Sequence, residues 1–291
     1  MSRAHLLKGN SNMAVRADYA AILAPEDVAA LLVDPVLQTA VAGQLLTPTR
    51  TSGRQYRIPI VKTDPSAAWV NEGEEIPIVE GEVDEVEVLP RKLAGLNVIS
   101  RELANDSSPD AGKVIGDGLA RDISRKLDAA LFAATTAKGP SGLPSLTGIV
   151  AATAATMAAV VDTLIGVTYT LEANHASPTN WVAHPDTAAR ISSLKKATGS
   201  NEPLLGNDIS VPGKRTLLGT PLLTSPYVAA NVVWGVDKTF SRLVVWEDAE
   251  VESDKSAFFT SDRIAVRATM RGGFAFTHPG SVAKVTLPAA S

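Results

Sequence analysis

The feature that most constrains this chain is a run of uncompensated acid flanked by strand-like alternation. From Asn71 to Glu87 the sequence carries Glu72, Glu74, Glu75, Glu80, Glu82, Asp84, Glu85 and Glu87 and no basic residue, eight acids in seventeen positions. The whole chain has a formal charge of −4, so without these eight negative charges the other 274 of its 291 residues sum to +4. A segment of this kind repels itself and cannot form a core. Tyr56, Ile58 and Ile60 alternate with Arg57 and Pro59 on one side of it, and a second alternating stretch, Val83 to Val88, leads into Leu93 to Ile99. The pattern predicts two strands of one long excursion. Its tip is either a solvated hairpin end or a projecting acidic hairpin that docks on a basic surface of another copy, where opposite charges steer the encounter and fix register.

The remainder supports a substantial core. Hydrophobic residues make up 45% and charged residues 20%, which excludes disorder as the main state and fits one large domain or two smaller ones. Aromatics are only 5%, so the core is expected to be Val, Leu, Ile and Ala. The absence of cysteine excludes disulfides, thiolate zinc sites and a cysteine nucleophile. Met1 to Ala20 has no apolar stretch of signal-peptide length. Gly148 to Val161 is the most apolar run, but Asp162 stops it well short of the roughly 20 residues a membrane helix needs, so no membrane span is expected.

Residues 1–50 mix Pro35, Gly43 and Pro48 with a short predicted helix, Pro25 to Leu32, and read as an extended arm with helical pieces. The clearest helix runs from Pro109 to Thr136, about 28 residues or about 42 Å, with Ser108 as N-cap. Its apolar residues Ile115, Leu119, Ile123, Leu127 and Leu131 recur every four positions, so the stripe rotates by about 160° along the helix. One flat partner cannot cover a face that precesses, and the helix reads as a spine touching different elements along its length. Asp117 with Arg121, and Asp122 with Lys126, have the spacing of helix-surface ion pairs. Gly139, Pro140, Gly142 and Pro144 mark the strongest boundary. Beyond it, helices are predicted over Ala151 to Ile165 and His184 to Lys196, and strands over Thr179 to Ala183, Leu217 to Leu223 and Val232 to Val236, a mixed α/β lobe. Leu243 to Trp246, Ala257 to Thr260, Ile264 to Ala268, Phe274 to Thr277 and Val282 to Leu287 suggest a closing antiparallel sheet with Gly272, Gly273 and Pro279 at turns.

Catalytic signatures are negative or weak. Six residues separate Gly206 from Gly213 where a phosphate loop requires four, and Arg215 stands where a hydroxyl should follow Lys214. Gly139 to Gly142 lacks nucleophile-elbow spacing. His5, His175, His184 and His278 form no helical zinc pair, and the last two precede proline, which favours turn or cap roles. The hairpin acids lack EF-hand spacing. Lysines and arginines are dispersed, without the basic, aromatic-interleaved stripe of a nucleic-acid reader. No cofactor, metal or catalytic residue is assigned.

The order of parts, arm, acidic hairpin, strand, spine helix, α/β lobe and returning sheet, resembles the major capsid proteins of tailed bacteriophages with the Hong Kong 97-like fold. The residues that carry the likeness are Ala68 to Gly73 at the hairpin and Leu89 to Asp106, which is similar to the family's strand and its "S-x-E-L-x-x-D" entry into the spine helix. Trp181 to Pro185, Leu218 to Leu222, and Asp262 to Arg267 through Arg271, Phe274 and Pro279 follow in the family's order. The resemblance runs from about residue 50 to the end.

It implies an α+β fold in parts: an N-terminal arm (1–50), an extended loop (51–92), a peripheral domain with the spine helix (93–146) closed by a sheet (250–291), and an axial domain (147–249). It further implies a non-enzymatic subunit that self-assembles as pentamers and hexamers into an icosahedral shell around double-stranded DNA. A procapsid would form in the bacterial cytoplasm, expand as DNA enters through a portal and become the virion. The DNA contact would be non-specific, since mild charge confines DNA without gripping it. With only some fifty residues ahead of the hairpin, scaffolding would come from a separate protein or be absent, and a decoration protein is a possible further partner. Lys62, the lone lysine between Arg54 and Pro90, is read as a solvated strand charge rather than a crosslinking group. The interfacial candidates are Trp69 as an anchor and Glu72, Glu74 and Glu75 meeting arginines such as Arg54, Arg57 or Arg121 of another copy. Two alternatives stand beside this reading: an encapsulin-type nanocompartment shell, and a cytoplasmic hydrolase using hairpin carboxylates.

Overall fold

The computed structural model describes residues 34–63, 69–71, 73, 75, 82–100, 102, 111–195, 204, 215–246 and 250–289. The predicted helix Pro25 to Leu32, the helix entry at Ser108 and the residues Glu72 and Glu74 lie outside the described residues.

From Asp34 onward the chain is no free arm. Helices α1 (Asp34–Thr39) and α2 (Val41–Leu45) bury Val36, Ala40, Ala42, Leu45 and Leu46 completely, because these apolar residues are spaced to face one side of a tight helical turn. Strand β1 (Thr47–Thr51) then pairs in parallel with a strand nearly two hundred residues later, Thr47 opposite Arg242. The last part of residues 1–50, expected as an extended arm with helical pieces, contains two such helices, and apolar burial holds them against the chain's own body.

Strands β2 (Tyr56–Thr63) and β3 (Glu82–Val88) form the expected hairpin, and β4 (Arg91–Ser100) follows. The spine helix α3 spans Ala111–Leu131, 21 residues, and ends five residues earlier than predicted. The cause lies after it: a Cβ on Gly142 would sit 2.1 Å from the carbonyl oxygen of Leu131, so a returning loop that only glycine permits crosses the helix end. Along α3 the buried face rotates as the four-residue spacing requires. Ile115 and Leu119 are half-buried, while Ile123, Leu127, Ala130 and Leu131 are core. The Asp117–Arg121 and Asp122–Lys126 spacings close no ion pair among the described residues.

The rest of the chain comprises β5 (Val150–Thr153), α4 (Val160–Ala173), β6 (Asn180–Ala183), α5 (Pro185–Ser192), β7 (Thr216–Leu217), β8 (Thr220–Thr224), β9 (Val232–Val236), β10 (Ser241–Trp246), β11 (Glu250–Phe258), β12 (Arg263–Phe276) and β13 (Val282–Thr286). Residues 151–153 open the helix expected over Ala151 to Ile165. They instead form a strand because β13 offers a parallel edge, Ala283 opposite Val150, and tertiary pairing outweighs a weak intrinsic preference. The helix begins only at Val160. The predicted strand Leu217 to Leu223 is a tight hairpin, turned at Leu218 and Gly219, both at positive φ (52° and 78°).

Two larger sheets organise these elements. In the five-stranded sheet β12 is central: Gly272 pairs with Val245 of β10 on one side and Arg91 of β4 on the other, and Thr269 pairs with Glu250 of β11 and Ala94 of β4. β10 and β11 thus lie end to end along one side of β12. Gly272 and Gly273, predicted at turns, are inside this 14-residue strand. The six-stranded sheet runs β5-β13-β9-β6-β8-β7. It takes β13, expected in the closing sheet, while β10, whose residues Leu243 to Trp246 are expected in that sheet, pairs antiparallel with β12 in the five-stranded one. Strand β9 is buried at every position, with Val232, Trp234 and Val236 facing a core shared with α3 and the five-stranded sheet and Val233 facing a second core under α4 and α5. Alternation alone therefore could not say which sheet an all-apolar strand joins.

One buried polar contact fixes the spine helix to the N-terminal helices. Asp128, only 7% exposed, accepts hydrogen bonds from the backbone N–H groups of Ala42 (2.8 Å) and Val41 (3.1 Å), the otherwise unpaired donors at the start of α2. Burial raises the Asp128 pKa above its ordinary value and the two N–H groups oppose that rise. Replacing Asp128 by Ala is expected to cost about 1–3 kcal/mol, since both donors would be left buried and unpaired. A group with a raised folded-state pKa favours folding most below its unfolded pKa, and that contribution is lost as pH rises through the folded value. The stability difference between wild type and Asp128→Asn should accordingly shrink, to the wild type's disadvantage, from acid to neutral pH, as urea midpoints of both proteins across that range would show.

Candidate subunit interface

The hairpin divides into an anchored base and an exposed remainder. At the base, Tyr56, Ile58 and Val86 are partly buried and Val88 is buried against Val244, Trp246 and Ala275. The indole N–H of Trp246 donates to the carbonyl of Gly53 at 2.6 Å, tying the turn before β2 to the same sheet. Gly273 makes the close approach possible, because a Cβ there would lie 2.6 Å from Cγ1 of Val88.

Farther out the two strands carry a charge ladder. Arg57 reaches Glu85 (3.2 Å) and Glu87 (3.5 Å), and Lys62 reaches Glu82 (3.5 Å) and Asp84 (3.7 Å), all with roughly half-exposed side chains. Exposed pairs contribute about 0–1 kcal/mol each, so the ladder sets register more than stability. Val61 and Val83, directly opposite one another, are 56% and 67% exposed, and Trp69 is fully exposed at 105%. An indole offers on the order of 150–250 Å² of contact surface, and this one has no partner within its own chain among the described residues.

The interfacial candidates fall into separate groups. Arg57, expected to meet acids of another copy, is occupied within its own hairpin. Arg54 lies exposed in the turn ahead of β2 and Arg121 exposed on α3, neither with an ion-pair partner among the described residues. Glu75 is exposed and likewise unpaired among the described residues. Lys62, expected as a solvated strand charge, is exposed and lies against Glu82 and Asp84. His184 caps α5 by accepting from the N–H of Asp186 (3.2 Å), and His278 sits beside the Asn174 carbonyl at 3.2 Å, so both histidines serve turns and caps. No group of three or more metal-ligating side chains occurs among the described residues, and no described helix is long and apolar enough to cross a membrane.

Sequence reasoning missed a concave basic surface beside the C-terminal end of α3. Arg91, Lys92, Lys126 and Lys138 rim a groove of about 560 Å³ floored by Leu127, Met270 and neighbouring small residues, and none of its lining residues is acidic. These four bases come from three segments, so no linear stripe announced them.

Comparison with known proteins agrees with this architecture. The model of the phage capsid family matches residues 20–287. A capsid polyprotein of Pseudomonas phage PAJU2 is 28% identical over 188 residues, covering 60% of this chain and 26% of that protein, so the match spans about a quarter of the curated relative's length. Among solved structures, the capsid of a native GTA particle superimposes with a TM-score of 0.69 at 19% identity, covering 84% of this chain and 89% of that one. A chain of Microbacterium phage Oxtober96 gives 0.69 at 17% identity, covering 86% and 91% respectively. The chain belongs to the phage capsid family and has the Hong Kong 97-like fold. It is thereby a phage capsid protein.

The anchoring of the hairpin base is open to a double-mutant test. Gly273→Ala should cost about 1–3 kcal/mol by overpacking against Val88, and Val88→Ala in the same chain should recover part of that loss. Hydrogen exchange of the β2–β3 amides would show whether the hairpin base, rather than the whole fold, is what loosens.

Proposed function

We propose that this chain assembles with copies of itself, as pentamers and hexamers, into a closed icosahedral shell around the double-stranded DNA of a tailed phage, with its acidic hairpin reaching over an adjacent copy. The observation that carries this reading is the hairpin itself: its base is locked to the parent body through Val88 and Trp246, while Trp69, Val61 and Val83 stand in solvent. A rigidly mounted, unsatisfied projection is suited to a partner of fixed geometry, and a second subunit supplies one.

Under this reading the six-stranded sheet with α4 and α5 gathers around the shell's symmetry axes as the axial domain, and the five-stranded sheet with α3 forms the peripheral domain. The protein acts without catalysis. A portal, a separate scaffolding protein, a decoration protein and non-specific contact with packaged DNA are the partners it would meet, and assembly would take place in the host bacterial cytoplasm. The overall net charge of −4 is compatible with a wall that does not hold DNA tightly.

The decisive experiment is electron microscopy and sedimentation of the purified chain, alone and with candidate scaffold. Closed particles are expected, and a protein that stays monomeric at high concentration under both conditions would overturn the reading. Thr63 and Glu82 are paired across the hairpin, so residues 64–81 can be replaced by an Asn-Gly turn without disturbing the base. That variant should melt within a few degrees of wild type yet form no closed particles. Trp69→Ala should raise the concentration needed for assembly about tenfold or more while leaving the monomer's melting unchanged.

A further inference from the structure

We propose that the last strand and its tail form a bolt, held by Arg190, that must seat in the six-stranded sheet before the subunit can enter a shell, an inference that rests on the assembly reading above. Strand β13 lies inside that sheet, parallel to β5 on one side and antiparallel to β9 on the other. β5 pairs with no other described strand, so one edge of the sheet is attached only through the chain's final strand. The same short segment closes both cores. Val282 is buried in the core shared with α3, and Ala283, Val285 and Leu287 are buried in the one under α4 and α5. Without β13, strand β9, buried at every position, would keep a bare backbone edge and lose part of its cover on both faces.

Polar contacts pin the segment at its two ends. At the first, the side-chain amide of Asn174, at the end of α4, donates to the Gly280 carbonyl (3.3 Å), and the Ser281 hydroxyl donates to the His278 carbonyl (2.6 Å). At the second, the Leu287 N–H donates to the Asn231 carbonyl (2.7 Å). The Arg190 guanidinium of α5 donates there to the carbonyls of Pro288 (3.0 Å) and Ala289 (3.4 Å) and to the Asn231 side chain. Asn231, at a positive φ of 60°, is itself held by its N–H donating to the hydroxyl of the buried Thr187 (3.0 Å). Arg190 has no carboxylate partner among the described residues, so this half-buried cation is committed to the chain's end and would lose two acceptors with it. Ala283 lies opposite Val150, some 130 residues earlier, so the pairing closes a long loop before it gains any contact and is the step that completes the fold. No ladder of the five-stranded sheet uses β13. An unbolted subunit therefore keeps its hairpin mount but lacks a finished second sheet, and the concentration needed for assembly rises in inverse proportion to the fraction bolted.

The chain has no cysteine, so one engineered pair can lock the bolt. Ala151 and Lys284 are opposite one another in the β5–β13 ladder, and Ala151→Cys with Lys284→Cys can be joined by oxidation. In hydrogen exchange of the soluble subunit, Arg190→Glu should open β5 and β13 together at least about tenfold faster than wild type, with α3 and the hairpin base at wild-type rates. It should also raise the particle-forming concentration at least about tenfold. Oxidising the cysteine pair in the Arg190→Glu chain should bring both quantities back to within about threefold of wild type, and reduction should undo the rescue. Arg190→Ala keeps the test open if the charge reversal abolishes folding, and the same two strands should exchange at least about threefold faster in it. Unchanged exchange of β5 and β13, equal acceleration throughout the fold, or a lock that restores exchange without restoring assembly would overturn the bolt. If exchange behaves as expected but the wild type forms no particles under any condition, the bolt stands as a separately opening unit and the assembly reading falls.

Discussion

Strand β12 is the constraint on which the rest depends. It pairs with β4 along one side and with β10 and β11 along the other, so three separate stretches of chain take their register from its backbone. Its side chains then determine what can lie on the sheet. Met270 is in the core with α3, while Gly272, close to Leu127 of that helix, presents no side chain. One residue later Gly273 admits Val88, which brings the hairpin base onto the sheet beside Trp246. The spine helix and the projecting hairpin are thus both packed on one strand, the helix through Met270 and the hairpin base through the close approach that Gly273 permits. A docking element and its mounting surface could not be separated by a loop movement without breaking a 14-residue ladder.

The local parts of this arrangement were largely legible in the sequence. The period-two stretches at Tyr56 to Ile60 and Val83 to Val88 gave both hairpin strands, the four-residue spacing from Ile115 to Leu131 gave the spine helix and its rotating face, and Pro185 after His184 marked the start of α5. What failed was non-local. Ala151 to Thr153 form a strand because β13 lies beside them, and Gly273 looks like a turn residue until Val88 is known to occupy the space above it. The burial of Asp128 followed the same logic: an acid beside Leu127 on a helix reads as a surface group until the N-terminus of α2 arrives to donate two hydrogen bonds. The four bases of the groove were invisible for a related reason, since Arg91, Lys92, Lys126 and Lys138 converge only after β4 pairs with β12 and the chain turns at Gly139 and Gly142.

The distribution of charge along the hairpin adds a step that net charge alone conceals. The eight acids are not equivalent. Those on β3 are set against Arg57 and Lys62 across a defined register, a local ladder that holds two strands together in water. The more distal acids have no basic residue near them in sequence, so their repulsion is relieved only by solvent, salt or an external cation. A hairpin graded in this way is held to the body at its base and carries a concentration of like charge in the sequence of its distal part. Mutual repulsion among tips also disfavours contacts between one hairpin and another, leaving a basic surface as the favoured encounter.

Weak individual contacts suit a shell. A single exposed charge pair contributes at most about 1 kcal/mol, and one buried indole adds a few more, so a lone hairpin contact would be readily reversible. Under the proposed assembly each subunit would both give a hairpin and receive one, and a subunit in place would be held by both contacts at once. The second contact then forms within an existing assembly, where the effective concentration of its partner is far above that in solution. Misplaced subunits, engaged through only one of the two, can leave, whereas correctly placed ones are retained. On this view the solvent-exposed Trp69 is not an imperfection of the folded chain: a hairpin satisfied by its own subunit would give a more stable monomer that had no reason to close a shell.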